Sequence, residues 1–327
     1  MLIPVAPALL VFAPGLWRNV CPLGTTALAA RHFGFSARRQ LPIRAQVWLN
    51  LIGVVALFAI VLWRGMELNT SAAATAAVLA GMALLSVLVG MTFEWKSGWC
   101  SGLCPVHGVE KLYGSKPFVS FANAHCDACQ RCSNPCPDST NAMHSMLGPD
   151  WEPQVVAEAL VVGAFPGFVW GWFHLPEWIG GNAGWQEFVQ RTYLPFVGMA
   201  VTIALFAVLR RYVAKKHELV LVRAFAAATI SCYYWYRIPA LFGYGLFPND
   251  GVLINLAGTL PDWWVILSRV LTTGLFVWWL VLHASPKRHW AHRPPLAESA
   301  VLVPHTTADR TLVCHVTVRT TLAGKCE

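Results

Sequence analysis

Four cysteines, Cys126, Cys129, Cys132 and Cys136, lie within eleven residues and are followed directly by Pro137. Their spacing, C-x2-C-x2-C-x3-C-P, is that of bacterial ferredoxins. Three cysteines with two residues between neighbours allow a short loop to wrap around one corner of a cubane cluster. The fourth cysteine of such a run ligates the other cluster in two-cluster ferredoxins. A structural zinc site is the alternative, although tetrahedral zinc usually takes two separated pairs of cysteines. The run therefore predicts an iron–sulfur site.

Two shorter cysteine motifs precede this run. Cys100 and Cys104 belong to a C-x3-C-P motif, and Cys21 begins a second Cys-Pro pair. When Cys21 is aligned on Cys104, the two prolines coincide, an apolar residue follows each of them, and Trp17 falls where Cys100 stands. The alignment predicts an internal repeat of a membrane helix followed by C-x3-C-P, in which the first copy lacks one thiol.

Together these motifs resemble those of the membrane polyferredoxins, which include the NapH-, NosR-, MauN- and CcoG-type proteins of bacterial respiratory and cofactor-maturation systems. The resemblance covers about residues 1–140 and rests on the two Cys-Pro motifs and the ferredoxin run. It implies [4Fe–4S] clusters at the cytoplasmic face of the inner membrane and one-electron transfer, often between the quinone pool and a partner. This chain has one ferredoxin run, where relatives often have two.

The number of ligands leaves the number of clusters open. One [4Fe–4S] cluster needs four cysteines, and two need eight. A single cluster would take three cysteines of the run and one Cys-Pro cysteine. Two clusters, which we favour, would need an eighth ligand from His107, His125 or elsewhere, or one of them would be a [3Fe–4S] cluster. In a crossed arrangement, the first three cysteines of the run share a cluster with one remote cysteine, and the fourth joins the others. The predicted metal ligands are Cys21, Cys100, Cys104, Cys126, Cys129, Cys132 and Cys136.

The composition predicts that these motifs are carried by membrane helices. Only 12% of the residues are charged, 56% are hydrophobic, and the mean hydropathy is +0.51. A soluble domain could not bury so much apolar surface. A membrane-spanning helix needs about 20 apolar residues, and the segments that meet this length or approach it are 45–63, 72–93, 153–173, 192–209, 219–236 and 263–284. Residues 1–17 are apolar but rich in proline, which predicts a short or broken membrane helix unless the start codon is misassigned.

The distribution of Lys and Arg predicts the orientation of the chain. Basic loops alternate with loops that are short or acidic, so the positive-inside rule places the basic loops in the cytoplasm. This rule also accounts for the net charge of +8, and no nucleic-acid-binding motif accompanies the basic residues. The early cysteines all fall on these loops. The basic residues that carry the argument are Arg18, Arg31, Arg38, Arg39, Arg44, Lys96, Lys111, Lys116, Arg131, Arg210, Arg211, Lys215, Lys216, Lys287, Arg288 and Arg293.

Charged residues within apolar segments are also candidates for function, because they are costly in hydrocarbon. Arg269 could hold a quinone headgroup or pair with Glu158, and the alternative for Glu158 is a position near the interface. Cys232 is predicted to be a thiol buried among apolar side chains. Cys314 and Cys326 lack enough partners to close a metal site, and we do not expect a haem.

The sequence thus predicts an all-α integral membrane protein with six or seven transmembrane helices and a small cytoplasmic ferredoxin-like loop domain. We divide it into membrane segments (1–93), a cluster-binding loop (94–152), a C-terminal helical bundle (153–284) and a cytoplasmic tail (285–327). The expected function is electron transfer between the quinone pool and a redox partner, which is a soluble ferredoxin, a flavoprotein or a membrane redox complex. Quinone is a further candidate cofactor. We expect an oxidoreductase subunit rather than a stand-alone enzyme, with no catalytic residue. The alternatives are a redox-dependent regulatory or metalloenzyme-maturation protein and a structural zinc knot on a transporter-like scaffold.

Overall fold

The computed structural model describes residues 2–39, 41–68, 71–114, 117–119, 152–175, 185–246, 252–261, 263–283, 300–306 and 312–318. The ferredoxin run at 126–136 therefore lies outside the described residues, as do His125 and Cys326. The described helices are α1 (Leu2–Phe12), α2 (Pro14–Val20), α3 (Pro22–His32), α4 (Ile43–Trp63), α5 (Ala72–Thr92), α6 (His107–Tyr113), α7 (Glu152–Glu158), α8 (Phe165–Phe173), α9 (Trp185–Tyr212), α10 (Glu218–Leu241) and α11 (Trp263–Val277).

Several helices continue into turns of another helix type. π-Helical turns lie at Arg64–Leu68, Lys96–Leu103, Ala159–Ala164 and Trp278–Leu282, and a 3-10 turn lies at Lys215–His217. We call Lys96–Leu103 the π segment. Two strands, β1 (Ala300–Thr306) and β2 (Leu312–Val318), pair antiparallel in the tail, with Pro304 opposite Cys314. The chain thus contains this hairpin in addition to the predicted helices.

Six helices in the described part of the chain are long and apolar enough to cross a membrane, as predicted. They comprise Arg44–Trp63, Ala72–Thr92, Pro153–Phe173, Gln186–Tyr212, Lys215–Leu241 and Trp263–Leu282. Their outer surfaces are apolar: on α5, for example, Leu79 and Leu84 are 62% and 61% exposed. Such a surface is compatible with contact with lipid, because a large exposed apolar area is costly in water. The N-terminal apolar segment is broken between α1 and α2, where Ala13 leaves the helical conformation.

Two helix–Cys-Pro–helix units lie in the N-terminal half of the bundle, each broken at its Cys-Pro pair; we call these units the first and second hairpins and the breaks their tips. The first hairpin consists of α2, Cys21 and α3, and the second consists of the π segment, Cys104 and α6. A residue that precedes proline is disfavoured in the α region, so each cysteine interrupts the helix. Cys21 has φ −64° and ψ 114°, and Cys104 has φ −62° and ψ 119°. The two tips therefore share one backbone conformation, as expected of an internal repeat.

Each hairpin packs against the helix that leads into the other one. In the first hairpin, α3 packs against α5, and in the second, α6 packs against α1. The contact between α3 and α5 is so close that a side chain on Gly90 would overlap the carbonyl oxygen of Ala27. Two ion pairs follow the same exchange: Arg18 contacts Glu110, and Arg31 lies 3.0 Å from Glu94. The hairpins are thus interlocked rather than side by side.

The tip of the second hairpin lies beside the middle of α4, not beyond its end. A methyl group on Gly53, the central residue of α4, would lie 2.8 Å from the carbonyl oxygen of Leu103 and 3.2 Å from that of Cys104. Every residue of α6 is buried, and Trp99 in the π segment is completely inaccessible. The first part of segment 94–152, as far as the end of α6, is therefore packed within the helical bundle.

Helices α7 to α11 form the second half of the bundle. Gly167 of α8 and Gly198 of α9 are in direct backbone contact, which permits these two helices to pack closely. The suggested pairing of Glu158 with Arg269 is wrong. Glu158 instead lies 3.4 Å from Arg210, which also lies 2.6 Å from Glu218. These three residues lie at one end of the bundle. The same end carries the exposed residues Arg211, Lys215 and Lys216, and we call it the basic end.

Arg269 occupies a different part of the structure. Its guanidinium lies 5.6 Å from the centre of the Tyr236 ring, and its Nε lies 3.4 Å from the carbonyl oxygen of Trp235. Cys232 is buried in the apolar core, as predicted.

Candidate metal centre

Cys21, Cys100 and Cys104 line one cavity, which lies where the two hairpins meet. Trp17 lines it too, so both positions of the aligned pair Trp17 and Cys100 face the same space. The cavity measures about 40 Å³, about three times the ~10–15 Å³ that a cavity needs to hold one water molecule. The remaining lining residues are Arg18, Gly24, Trp95, Lys96, Trp99 and Glu110.

The two Cys-Pro thiols have the same backbone environment. At Cys21, the N–H groups of Leu23 and Gly24 face the sulfur, and at Cys104, those of Val106 and His107 do so. In both cases the donors are two and three residues after the cysteine, where the first turn of a helix has N–H groups without an intrahelical partner. Hydrogen bonds to sulfur are one means by which proteins tune iron–sulfur potentials.

Burial has the largest effect on the pKa of these thiols. It raises the pKa of Cys21 and raises that of Cys104 to about 12, and the facing N–H groups offset only part of this effect. Burial also raises the pKa of Cys100 well above its usual value, and the neighbouring Cys104, Cys21 and Glu110 add to it. Because metals bind cysteine as the thiolate, a metal would have to displace these protons and would supply the missing positive charge.

Two cations lie in the wall of the cavity. Arg18 contacts Glu110, and both side chains are at most 10% exposed. Lys96 is 4% exposed, lies 5.4 Å from the centre of the Trp95 ring, and is the neighbour that lowers the pKa of Cys100. Positive charge next to buried thiols favours the thiolate form. The cysteine motifs do not identify these two cations as site residues, because Lys and Arg near the ends of apolar segments are normally assigned to loops.

The donor set is suited to a thiolate-bound metal centre but is incomplete within the described residues. No group of three or more His, Cys, Asp or Glu side chains in that part of the chain is close enough to hold a single metal ion. His107 is buried, and its Nδ1 has no hydrogen-bond partner among the described residues, but its ring does not line the thiol cavity. Burial, with Lys111 and Arg18, lowers the pKa of His107 well below its usual range, so the imidazole is neutral.

The structure thus brings together three of the seven predicted ligands. The other four, in the ferredoxin run, lie outside the described residues. Comparisons with known proteins add nothing to these observations: no family model, no curated protein and no solved structure matches the chain.

Proposed function

We propose that the protein is a membrane-bound one-electron carrier in which Cys21, Cys100 and Cys104 hold one iron–sulfur group together with a cysteine of the ferredoxin run. The observation that carries this proposal is the convergence of three thiols, from two hairpins far apart in the sequence, on one cavity. Three thiols around a common cavity favour their assignment to one cluster rather than a division between two. The remaining cysteines of the run would then hold the second cluster. The motif resemblance to membrane polyferredoxins supports the same function.

An iron–sulfur group supplies a one-electron change of charge within a compact site. The residues of this chain would bind the group, offset its charge and exclude water from it. The three thiolates would hold iron, and Lys96 would offset part of their charge. The Arg18–Glu110 pair ties the first hairpin to the second. The indoles of Trp95 and Trp99 lie buried in the cavity wall and exclude water, which strengthens every electrostatic interaction there.

Electrons would pass between the quinone pool and a partner at the basic end. Arg211, Lys215 and Lys216 are exposed there, and electrostatic complementarity would favour an acidic soluble ferredoxin or flavoprotein. By the positive-inside rule, this end faces the cytoplasm of a bacterial inner membrane.

The test is purification without oxygen, followed by iron and acid-labile sulfide analysis and electron paramagnetic resonance. We expect a brown protein whose absorbance bleaches on reduction with dithionite. The Cys104→Ser variant should lose iron and one resonance signal. The matched control is Cys232→Ser, which alters a buried thiol outside the cavity and should keep both. A colourless protein that contains only zinc would overturn the proposal. A cluster-containing protein whose loss leaves a target metalloenzyme immature, but not starved of electrons, would move the function to maturation.

A further inference from the structure

A second cavity, of about 410 Å³, lies among helices α1, α4, α6, α8 and α10. Its walls are mostly aliphatic and aromatic, and no acidic side chain of the described residues lines it. Ligand sites in proteins typically measure about 300–1,000 Å³ and are lined mainly by apolar side chains. The cavity is thus large enough for a ligand that is mostly hydrocarbon.

The polar groups of the wall differ in what they can offer to such a ligand. The hydroxyl of Tyr113 forms a hydrogen bond with Thr229, and that of Tyr233 accepts one from Arg237. These hydroxyls are therefore engaged within the protein. The indole Nε1 of Trp172 is buried and has no hydrogen-bond partner in the described part of the chain. Leaving a buried donor without an acceptor is costly, so this part of the wall favours a ligand that carries an acceptor oxygen.

Arg64 places a positive charge beside this indole. It lines the cavity, and its guanidinium carbon lies 6.0 Å from the centre of the Trp172 ring. A methyl group on the next residue, Gly65, would lie 3.6 Å from Trp172 Nε1, so the two donors are neighbours. A guanidinium has five N–H donors in a fixed fork that matches carboxylate and phosphate groups. Arg64 can therefore bind an oxyanion in addition to its contacts within the protein.

A second guanidinium adds to the positive charge at this place. Arg237 lies 5.7 Å from the centre of the Trp172 ring. Burial, and after it the charge of Arg237, lowers the pKa of Arg64. An anion held here would favour the charged form of Arg64 and so oppose both effects.

This part of the cavity lies at the end of the bundle opposite the basic end. Arg237 is near the end of α10, whose first residue, Glu218, belongs to the basic end. Arg64 directly follows the apolar span of α4 and is half-buried. Lipid head groups lie at this level, next to the hydrocarbon region into which their chains extend. A ligand with its head group at Arg64 and its chain among the apolar walls would therefore lie as a membrane lipid does.

We propose that this cavity binds the acyl chain of an anionic lipid, whose carboxylate or phosphate head group accepts hydrogen bonds from the Arg64 guanidinium and from Trp172 Nε1. The apolar walls select the chain, and the two neighbouring donors, one of them charged, select an oxyanion over a neutral head group. Binding at this cavity does not depend on the cluster of the proposed function.

The test measures lipid binding to the purified, delipidated full-length protein in a non-ionic detergent by native mass spectrometry. Two pairs of probes are compared: palmitate with hexadecanol, and phosphatidylglycerol with diacylglycerol. The members of a pair have the same chains, but only the first carries an oxyanion. We expect at least one anionic probe to bind more tightly than its neutral counterpart. Its affinity should fall about 10- to 100-fold in Arg64→Gln, the loss of a hydrogen bond between charged groups, and about 2- to 10-fold in Trp172→Phe.

The matched control is Arg191→Gln, which should leave the affinity for every probe unchanged. Arg191 lies near the start of α9, and Arg210 of the basic end lies in the last turn of that helix, so Arg191 is at the same end of the bundle as Arg64. It does not line the cavity. Leu57→Trp adds bulk to the cavity wall and should weaken the binding of all probes that the native protein binds.

Four results would overturn the inference. Equal affinity within both pairs of probes would show that the cavity takes any hydrocarbon chain. An unchanged affinity for the anionic probes in Arg64→Gln, or an equal loss in Arg191→Gln, would show that Arg64 does not hold the head group. Retained binding in a folded Leu57→Trp protein would place the lipid elsewhere.

The probe whose affinity depends on Arg64 identifies the source of the head group, palmitate for a free fatty acid and phosphatidylglycerol for a phospholipid. The measurement gives the same answer with or without iron in the protein. An Arg64 effect in a protein without iron would refute the proposed function but keep this site, and a cluster-containing protein that does not distinguish the probes would do the reverse.

Discussion

The close approach of α4 to the tip of the second hairpin makes Gly53→Ala an informative substitution. The added methyl group would lie 2.8 Å from the carbonyl oxygen of Leu103, about 0.6 Å inside the 3.4 Å at which ordinary contact begins. The obstructing atoms belong to backbone, so they cannot rotate away. Overpacking of this kind typically costs about 1–3 kcal/mol, while replacing a helical glycine by alanine gains up to about 1 kcal/mol. We therefore expect a net loss of stability of up to about 2 kcal/mol and a displaced Cys104.

The assay compares Gly53→Ala with Gly81→Ala, because Gly81 lies near the middle of α5 and has no atom within 4 Å of its added methyl group. The thermal unfolding midpoint in detergent and the iron content per chain are measured for both. Gly53→Ala should unfold at a lower temperature and contain less iron, and Gly81→Ala should match or exceed the native protein. If the two variants unfold together with full iron content, the tip of the hairpin does not pack against the middle of α4.

Three further predictions address the thiol cavity. Glu110→Gln removes the carboxylate that Arg18 contacts inside the bundle, so it should cost about 3–5 kcal/mol. Glu187→Gln, in the more exposed pair with Arg191, should cost less than about 1 kcal/mol; equal unfolding midpoints would contradict the burial of the first pair. In metal-free reduced protein, the raised pKa of Cys104, about 12, should make iodoacetamide labelling slow at pH 8 and about tenfold faster for each pH unit above it, as followed by mass spectrometry; a plateau below pH 9 would refute this. Trp17→Cys places a fourth thiol in the cavity wall and should bind more iron than Trp17→Ser, whereas equal iron contents would show that position 17 does not face the metal.

The spanning helices could be predicted from sequence because each is an uninterrupted apolar segment of sufficient length. The equivalence of the two Cys-Pro motifs could be predicted as well, because proline imposes the same restriction on the residue before it wherever it occurs. The resulting match in backbone angles at Cys21 and Cys104 is what the alignment required.

The burial of the second hairpin could not be predicted in this way. Glu94, Lys96 and Glu110 make its sequence look like that of an aqueous loop, and only the fold shows that all three are buried, Glu94 and Glu110 beside arginines of the first hairpin. The mistaken pairing of Glu158 has a simpler cause. Glu158 lies near the start of a helix that begins at the basic end, and Arg269 lies near the start of a helix that begins at the opposite end, so they are far apart along the bundle.

The exchange of packing between the hairpins has a consequence for how such a site can change. If two identical chains met at a symmetry axis, every replacement would occur twice, and losing one thiol would mean losing its mate. With both copies joined in a single polypeptide, one side can vary while the other stays as it was. Position 17 illustrates this freedom: it carries an indole, although its counterpart, Cys100, keeps its sulfur.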